Sequence, residues 1–223
     1  PLGDRSAIKQ MTIECAFKEY EMLNGKDITN KIAEYQKLVS ERKACRRCFG
    51  LMNPATIDGG CFDSDQIGPW SLWQGNLNAP LMVVGQDWSG TEYFTKNKGR
   101  DVRGNPTDIN LIKLIGTAGF SIQDVYLSQG QNVLFFTNAI LCLKDGNLQA
   151  PVQKEWFVNC AMFLRRQIEI VNPSVVVGMG KEAYQAILNG FGIKNKVDIL
   201  RPEVELMEGR MLPNGSRVFA VYH

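Results

Sequence analysis

The chain has 223 residues, 44% of them apolar, and its 25 basic and 23 acidic residues leave a formal net charge of +2. This length suits one sizeable core, and so balanced a charge excludes a globally basic surface, so that any DNA-binding face must be a local patch. No apolar stretch approaches the roughly 20 residues of a membrane helix, and no secretory signal is recognised, which predicts an intracellular protein. The single histidine, His223, excludes histidine-rich metal sites and internal Ser-His-Asp triads.

The spacing of apolar residues predicts helices and strands that alternate along most of the chain. In chain order these are helices at 5–23 and 30–44, a strand at 79–85, a helix at 107–118, a strand at 133–138, a helix at 152–171, a strand at 174–178, a helix at 181–189 and a strand at 217–222. Residues 1–3 are interpreted as the remnant of a cleaved expression tag, and residues 49–79 as a long irregular loop. Unbroken apolar strands between helices indicate a parallel sheet covered on both faces.

Polar residues follow three of the predicted strands. Gln86 and Asp87 come after the first, Asn138 ends the second and His223 follows the last. Because ligands of parallel sheets bind at the carboxyl ends of the strands, we expect these residues to converge on one crevice. Each also fits a plainer interpretation, since Asp87 and Asn138 suit turns that close strands, and a terminal histidine is commonly frayed.

Four cysteines form the second notable pattern. Cys45 and Cys48 make a C-x2-C pair, and Cys142 and Cys160 follow much later. If folding gathers these four, their thiolates suit a zinc ion or an iron–sulfur cluster. A redox pair or buried thiols are the alternatives for C-x2-C alone. Cys15 fits no spacing, and Cys61 is an ordinary thiol or a substitute for one of the four ligands.

These motifs resemble the uracil-DNA glycosylase superfamily over about residues 43–223. The cysteine pattern, with Cys142 just past a Thr137-Asn138 strand end, is similar to the iron–sulfur branch called family four. The segment 172–180 resembles that family's P-x-V-I-V-x-L-G strand, and Tyr222-His223 resembles the start of its His-Pro-Ser loop. The resemblance implies a three-layer α/β/α sandwich with a central four-stranded parallel sheet, a helical extension over 1–42, and a glycosylase-like domain over 43–223.

One motif departs from that branch. Gly85-Gln86-Asp87-Trp88 stands where the iron–sulfur branch usually has Gly-Glu-x-Pro-Gly, and it is closer to the Gly-Gln-Asp-Pro-Tyr of the cluster-free family one. The chain therefore resembles a hybrid of the two families. The family's aromatic stacking residue has no clear counterpart after Trp88, although Trp88, Tyr93 and Phe94 are candidates.

The resemblance implies hydrolysis of the N-glycosidic bond of uracil, or a related altered base, flipped out of single- or double-stranded DNA. Asp87 would stabilise the cationic sugar or activate water, and backbone N–H groups around Gln86, with His223, would face the leaving base. Asn138 would read the edge of uracil and Trp88 would contact the base. Cys45, Cys48, Cys142 and Cys160 would hold a structural [4Fe–4S] cluster, with zinc the less favoured metal.

Other interpretations remain open. Trp88 and the unclear stacking residue allow a bulky modified pyrimidine, as in phage DNA, to be the target. A third interpretation is a catalytically silent member of the superfamily that binds DNA or a protein partner. A redox oxidoreductase is the least favoured interpretation. We expect a monomer in a bacterial or phage-related cytoplasm. Several basic residues suit either phosphate contacts or a solvated surface, namely Arg46, Arg47, Lys144, Arg165 and Arg166.

Overall fold

The computed structural model describes seven stretches of the chain: 28–65, 76–102, 104–117, 119–122, 134–145, 151–206 and 208–222. The predicted helix at 5–23, Cys15 and His223 lie outside the described residues. Among the described residues, no helix combines the length and the apolar character needed to cross a bilayer.

Six helices and seven strands make up the described part of the chain. The helices are α1 (28–44), α2 (Thr91–Lys96), α3 (Pro106–Thr117), α4 (Lys154–Val171), α5 (Gly180–Gly190) and α6 (Arg201–Val204). The strands are β1 (Leu51–Met52), β2 (Leu81–Gly85), β3 (Leu134–Asn138), β4 (Leu143–Lys144), β5 (Val175–Met179), β6 (Arg210–Met211) and β7 (Arg217–Val221), and a 3-10 segment covers Pro54–Gly60.

The main sheet has five strands in the order β3-β2-β5-β7-β6. The first four are parallel, which confirms the predicted four-stranded parallel sheet. The fifth strand, β6, pairs antiparallel with β7 and was not predicted, because two residues leave no measurable apolar period. A tight turn at Pro213-Asn214-Gly215 joins the two, and Gly215 adopts a positive φ of 89° there.

Helices cover both faces of this sheet, as the alternation of side chains along β2 shows. Met82 and Val84 belong to the larger core cluster, which also contains side chains of α1, α4 and α5. Val83 points to the opposite face and packs with Leu111 and Ile115 of α3. This arrangement is the predicted α/β/α sandwich, and it follows from strands that are apolar on both faces.

The longest helix among the described residues, α4, owes its place to its own sequence pattern. Its buried residues recur every three or four positions, as expected for one helical face: Trp156, Cys160, Phe163, Leu164, Gln167, Ile168 and Val171. The helix ends where Asn172 takes the left-handed conformation, with φ of 51°, and Pro173 follows. The predicted bounds of 152–171 therefore agree with the structure to within two residues.

A second, two-stranded sheet lies beside the main one. β1 pairs antiparallel with β4, so that Leu51 faces Lys144 and Met52 faces Leu143. We predicted residues 49–79 as irregular, and β1 and the 3-10 segment correct that prediction within residues 49–65. Residues 66–75 of the predicted loop lie outside the described residues. Both elements are too short to show a period, and β1 is defined by a partner more than 90 residues away in sequence.

Candidate active site and cysteine cavity

A cleft of about 830 Å³ opens at the carboxyl ends of β2, β3 and β5. Its walls include Gln86, Asp87, Trp88 and Asn138, so four of the predicted site residues share one space. The volume lies within the range of about 300–1,000 Å³ typical of small-molecule sites. The last residue of β7, Val221, pairs with Met179 of β5, and Met179 also lines the cleft.

Both carboxylate oxygens of Asp87 have partners. Oδ1 accepts a hydrogen bond of 2.8 Å from Nε2 of Gln86, and Oδ2 lies 2.8 Å from Nζ of Lys144. The side chains of Lys144 and Asp87 are only 6% and 9% exposed, so this is a nearly buried ion pair. Partners on both oxygens hold the carboxylate in one orientation at the cleft wall.

The burial of Lys144 contradicts one of the two roles considered for it from the sequence, that of a solvated surface charge. We expected a phosphate contact or a solvated surface charge, but the residue is buried against Asp87. Of the other basic candidates, Arg165 pairs with Glu169 and Arg166 with Glu41. The sequence gives no sign of the Lys144 contact, because β4 is two residues long and its partner lies in another segment.

Asn138 occupies a tight position at the end of β3. It lies in register with Gly85 of β2, and a Cβ atom at Gly85 would overlap its side-chain oxygen. Only glycine therefore fits at position 85 without movement of Asn138. The Asn138 side chain is buried, and its Nδ2 has no hydrogen-bond partner among the described residues. An unpaired buried donor costs about 1–3 kcal/mol, which a ligand carbonyl would offset.

An aromatic group forms another wall of the cleft. The rings of Trp88 and Tyr93 meet edge to face with centroids 5.2 Å apart, and Trp88 Nε1 donates to Asp101 Oδ2 at 3.3 Å. Both rings line the cleft, whereas Phe94 is fully buried behind Trp88. Burial raises the pKa of Asp101 and also that of Tyr93.

Two further lining residues were not singled out from the sequence. Phe136 of β3 presents an aromatic surface to the cleft. Ser89 also lines it, and its buried hydroxyl has no hydrogen-bond partner among the described residues. Ser89 follows the strand end at Gly85 that the sequence already marked, whereas Phe136 lies in the middle of β3, so position in the sequence could have identified only Ser89.

A separate cavity of about 170 Å³ gathers the four predicted cysteines: Cys45, Cys48, Cys142 and Cys160 all line it. The pair follows α1, Cys142 lies between β3 and β4, and Cys160 lies within α4. Cys61 is exposed and lies outside this lining set.

The thiols of this cavity have divergent acidities. A hydrogen bond with the Cys160 thiol lowers the pKa of Cys48 to about 6, and the same contact raises the pKa of Cys160. Burial raises the pKa of Cys142 to about 12. Asn159 Nδ2 also lies 3.5 Å from the Cys48 sulfur. Metal binding requires deprotonated thiolates, so a metal centre in this cavity would displace the thiol protons.

The size and the lining of the cysteine cavity bear on what it could hold. Among the residues that the structure describes, no three His, Cys, Asp or Glu side chains are arranged to hold a metal ion. The volume of the cavity, however, is several times the roughly 30 Å³ that one water molecule occupies. Three arginines, Arg42, Arg46 and Arg47, also line the cavity, and the buried guanidinium of Arg42 pairs with Asp63 at 2.8 Å.

Comparisons with known proteins agree with this geometry. A family model described as "Uracil DNA glycosylase superfamily" matches residues 72–223. The chain is 29% identical over 201 residues to a type-5 uracil-DNA glycosylase of Pyrobaculum aerophilum, covering 85% of this chain and 81% of the relative.

Two type-4 uracil-DNA glycosylases are also similar. The protein from Archaeoglobus fulgidus is 26% identical over 151 residues, which cover 67% of each chain. The protein from Thermotoga maritima is 28% identical over 158 residues, covering 70% of this chain and 68% of the relative.

Proposed function

The chain belongs to the uracil-DNA glycosylase superfamily, and we propose that it hydrolyses the N-glycosidic bond of uracil in DNA as a base-excision enzyme. The relatives of types 4 and 5 support this activity. The observation that carries it is the convergence of Asp87, Gln86 and Asn138 on one cleft at the carboxyl ends of adjacent parallel strands.

In this proposal Asp87 is the catalytic carboxylate. Cleavage of the bond builds positive charge on the sugar and negative charge on the leaving base. A carboxylate held beneath the sugar stabilises the cation and orients the attacking water. Gln86 occupies one lone pair of Asp87 Oδ1, and Lys144 occupies one lone pair of Asp87 Oδ2. Each oxygen retains a second lone pair that can accept a hydrogen bond from water.

Asn138 reads the base. Its unpaired Nδ2 donates to a carbonyl oxygen of uracil, and its Oδ1 accepts from the ring N–H. Cytosine presents a donor where uracil presents an acceptor, so the same amide rejects it. Trp88 supplies an aromatic surface for the flipped base, and His223 adds a donor to the leaving group, as proposed from its place after β7.

Cys45, Cys48, Cys142 and Cys160 would hold a [4Fe–4S] cluster in the second cavity, with zinc the less favoured occupant. When bound, the cluster would supply cross-linking of the three segments that carry the cysteines and no electrons for turnover. The iron content and the broad absorption near ~400 nm expected of such clusters test this assignment. Stoichiometric zinc with no iron would reject the cluster.

An oligonucleotide assay tests the enzymatic proposal. The purified protein should release uracil from single- or double-stranded DNA and leave an abasic site that alkali cleaves. Uracil-free DNA of the same sequence is the control. An iron-loaded protein that leaves uracil DNA intact would refute uracil excision.

The dimensions of the cleft favour a second candidate substrate. At about 830 Å³ the cleft leaves room beside a plain pyrimidine, and the unpaired Ser89 hydroxyl faces no described partner. A pyrimidine with a bulky polar substituent would use both features. Mass spectrometry of the bases released from modified DNAs distinguishes the two, because release of uracil alone excludes this version.

A further inference from the structure

Lys144 joins the two sites that the sequence motifs mark. Its side chain is buried in the cleft, and its Nζ lies 2.8 Å from Asp87 Oδ2. A buried ion pair contributes little net stability compared with apolar side chains of similar size, because both charges lose their hydration. The pair is therefore better explained by what it does to the orientation of Asp87.

The backbone of Lys144 is held from two sides. On one side it pairs with Leu51 of β1. On the other side its N–H donates to the carbonyl oxygen of Ser89 at 3.3 Å, and it forms a parallel bridge with Gly90. The loop that carries Asp87 and the strand that carries Lys144 are thus hydrogen-bonded to each other as well as joined by the ion pair.

Both strands of this small sheet start at the cysteine cavity. Cys48 precedes Leu51 by three residues, and Cys142 directly precedes Leu143. Each strand of the β1–β4 pair therefore lies within three residues of a cysteine that lines the cavity. The β1–β4 sheet therefore forms a short physical connection of paired backbone from the cavity to the cleft.

We propose that Lys144 is a positioning residue, which holds the Asp87 carboxylate in its catalytic orientation and through which the β1–β4 sheet links the cysteine centre to the reaction. This inference rests on the proposed glycosylase function. It assigns to the cysteine centre an effect on catalysis that passes through backbone pairing and one ion pair.

The test compares Lys144→Met with Lys144→Arg. Loss of the ammonium should lower kcat for uracil release about 100-fold through misplacement of the carboxylate, with KM little changed. Lys144→Arg retains a cation and should recover part of the loss. The control is Lys196→Met, which breaks the exposed Lys196–Asp198 ion pair of 2.6 Å outside the cleft and should leave kcat unchanged.

A double-mutant cycle separates positioning from a general structural role. In an Asp87→Asn background, Lys144→Met should cause little further loss, because the group that it positions is already gone. Equal losses in both backgrounds would overturn the inference. A raised KM with unchanged kcat would also overturn it, since that result indicates a phosphate contact.

A second measurement does not depend on turnover. In a crystal structure of folded Lys144→Met protein, we expect the Asp87 carboxylate to leave the position seen beside Gln86, and in Lys144→Arg to keep it. An unmoved carboxylate in Lys144→Met refutes the inference. A wild-type protein without activity refutes the proposed function instead, so the two failures are distinguishable.

Discussion

The cleft and the cysteine cavity differ in what holds their residues together. The cleft residues follow neighbouring strands of one sheet, and the register that pairs Gly85 with Asn138 sets their separation. The cavity residues come from the end of α1, the loop after β3 and the middle of α4, and none of the four cysteines lies in a strand of the main sheet. The backbone thus preorganises the cleft, whereas the cavity depends on the chemistry of its own side chains.

This difference predicts different consequences of substitution. A change in the cleft should remove activity and leave the fold largely intact. A change in the cavity should lower stability first, and it should lower activity through the β1–β4 sheet. Four further measurements test this contrast, in order of decreasing expected effect.

Asp87→Ala should produce the largest change. Loss of the proposed catalytic carboxylate is expected to reduce excision about 1,000-fold, or roughly 4 kcal/mol in the barrier, with DNA binding retained. Single-turnover rates and binding to a uracil-containing oligonucleotide measure the two effects. Asp87→Asn, which keeps the shape of the side chain, is the matched variant. Unchanged activity in both variants would show that a group other than Asp87 performs the catalytic role.

Cys142→Ser tests the cavity. Loss of one ligand should release iron and destabilise the protein by about 3 kcal/mol, equivalent to roughly 6–12 °C in Tm. Cys61→Ser, at an exposed position outside the cavity, is the control and should retain both iron and Tm. Iron content and thermal unfolding provide the readouts, and full iron in Cys142→Ser would contradict the proposed ligand set.

Gly85→Ala tests how far the sheet itself positions Asn138. The added Cβ would overlap the Asn138 side-chain oxygen, so we expect destabilisation of about 1–3 kcal/mol together with a loss of uracil excision. Gly116→Ala is the control, because its Cβ would meet no atom within 4 Å and alanine favours the helix. Wild-type excision by Gly85→Ala would show that the position of Asn138 is adaptable.

The ion pair between Glu203 and Arg210 provides a reference outside both sites. Arg210 hydrogen bonds lower the pKa of Glu203 from its ordinary 4.5 to about 2, and Arg210 Nη2 lies 2.7 Å from Glu203 Oε1. The folded state therefore binds a proton at Glu203 more weakly than the unfolded state does. The contribution of this ion pair to folding stability is complete above pH 4.5 and is lost as the pH falls toward 2.

Glu203→Gln should therefore cost about 1 kcal/mol at pH 7, the upper range for partly exposed pairs, and progressively less below pH 4.5. Urea unfolding of both proteins at pH 7 and at pH 3 measures the difference. Excision at pH 7 should be unaffected, because neither residue lines the cleft. An equal cost at both pH values would contradict the assigned titration.

Prediction from the sequence succeeded where a segment is long and apolar. The four parallel strands and α4 each carry enough residues to show a period, and the polar residues at their ends then follow from the geometry of parallel sheets. It failed for β1, β4 and β6, each of two residues, because such strands exist only through their partners. The aromatic candidates were also undecided, since whether Phe94 or Trp88 faces the cleft depends on packing between segments.

The sequence by itself determined the fold class and placed polar residues at strand ends, because local periodicity encodes both. The four-cysteine ligand set followed from a family resemblance and stays a prediction. Only the tertiary structure decided that Lys144 lies buried beside Asp87 and that a two-stranded sheet connects cavity and cleft. Both are contacts between distant segments whose free energy depends on burial and hydrogen-bond partners, and neither leaves a trace in the order of residues along the chain.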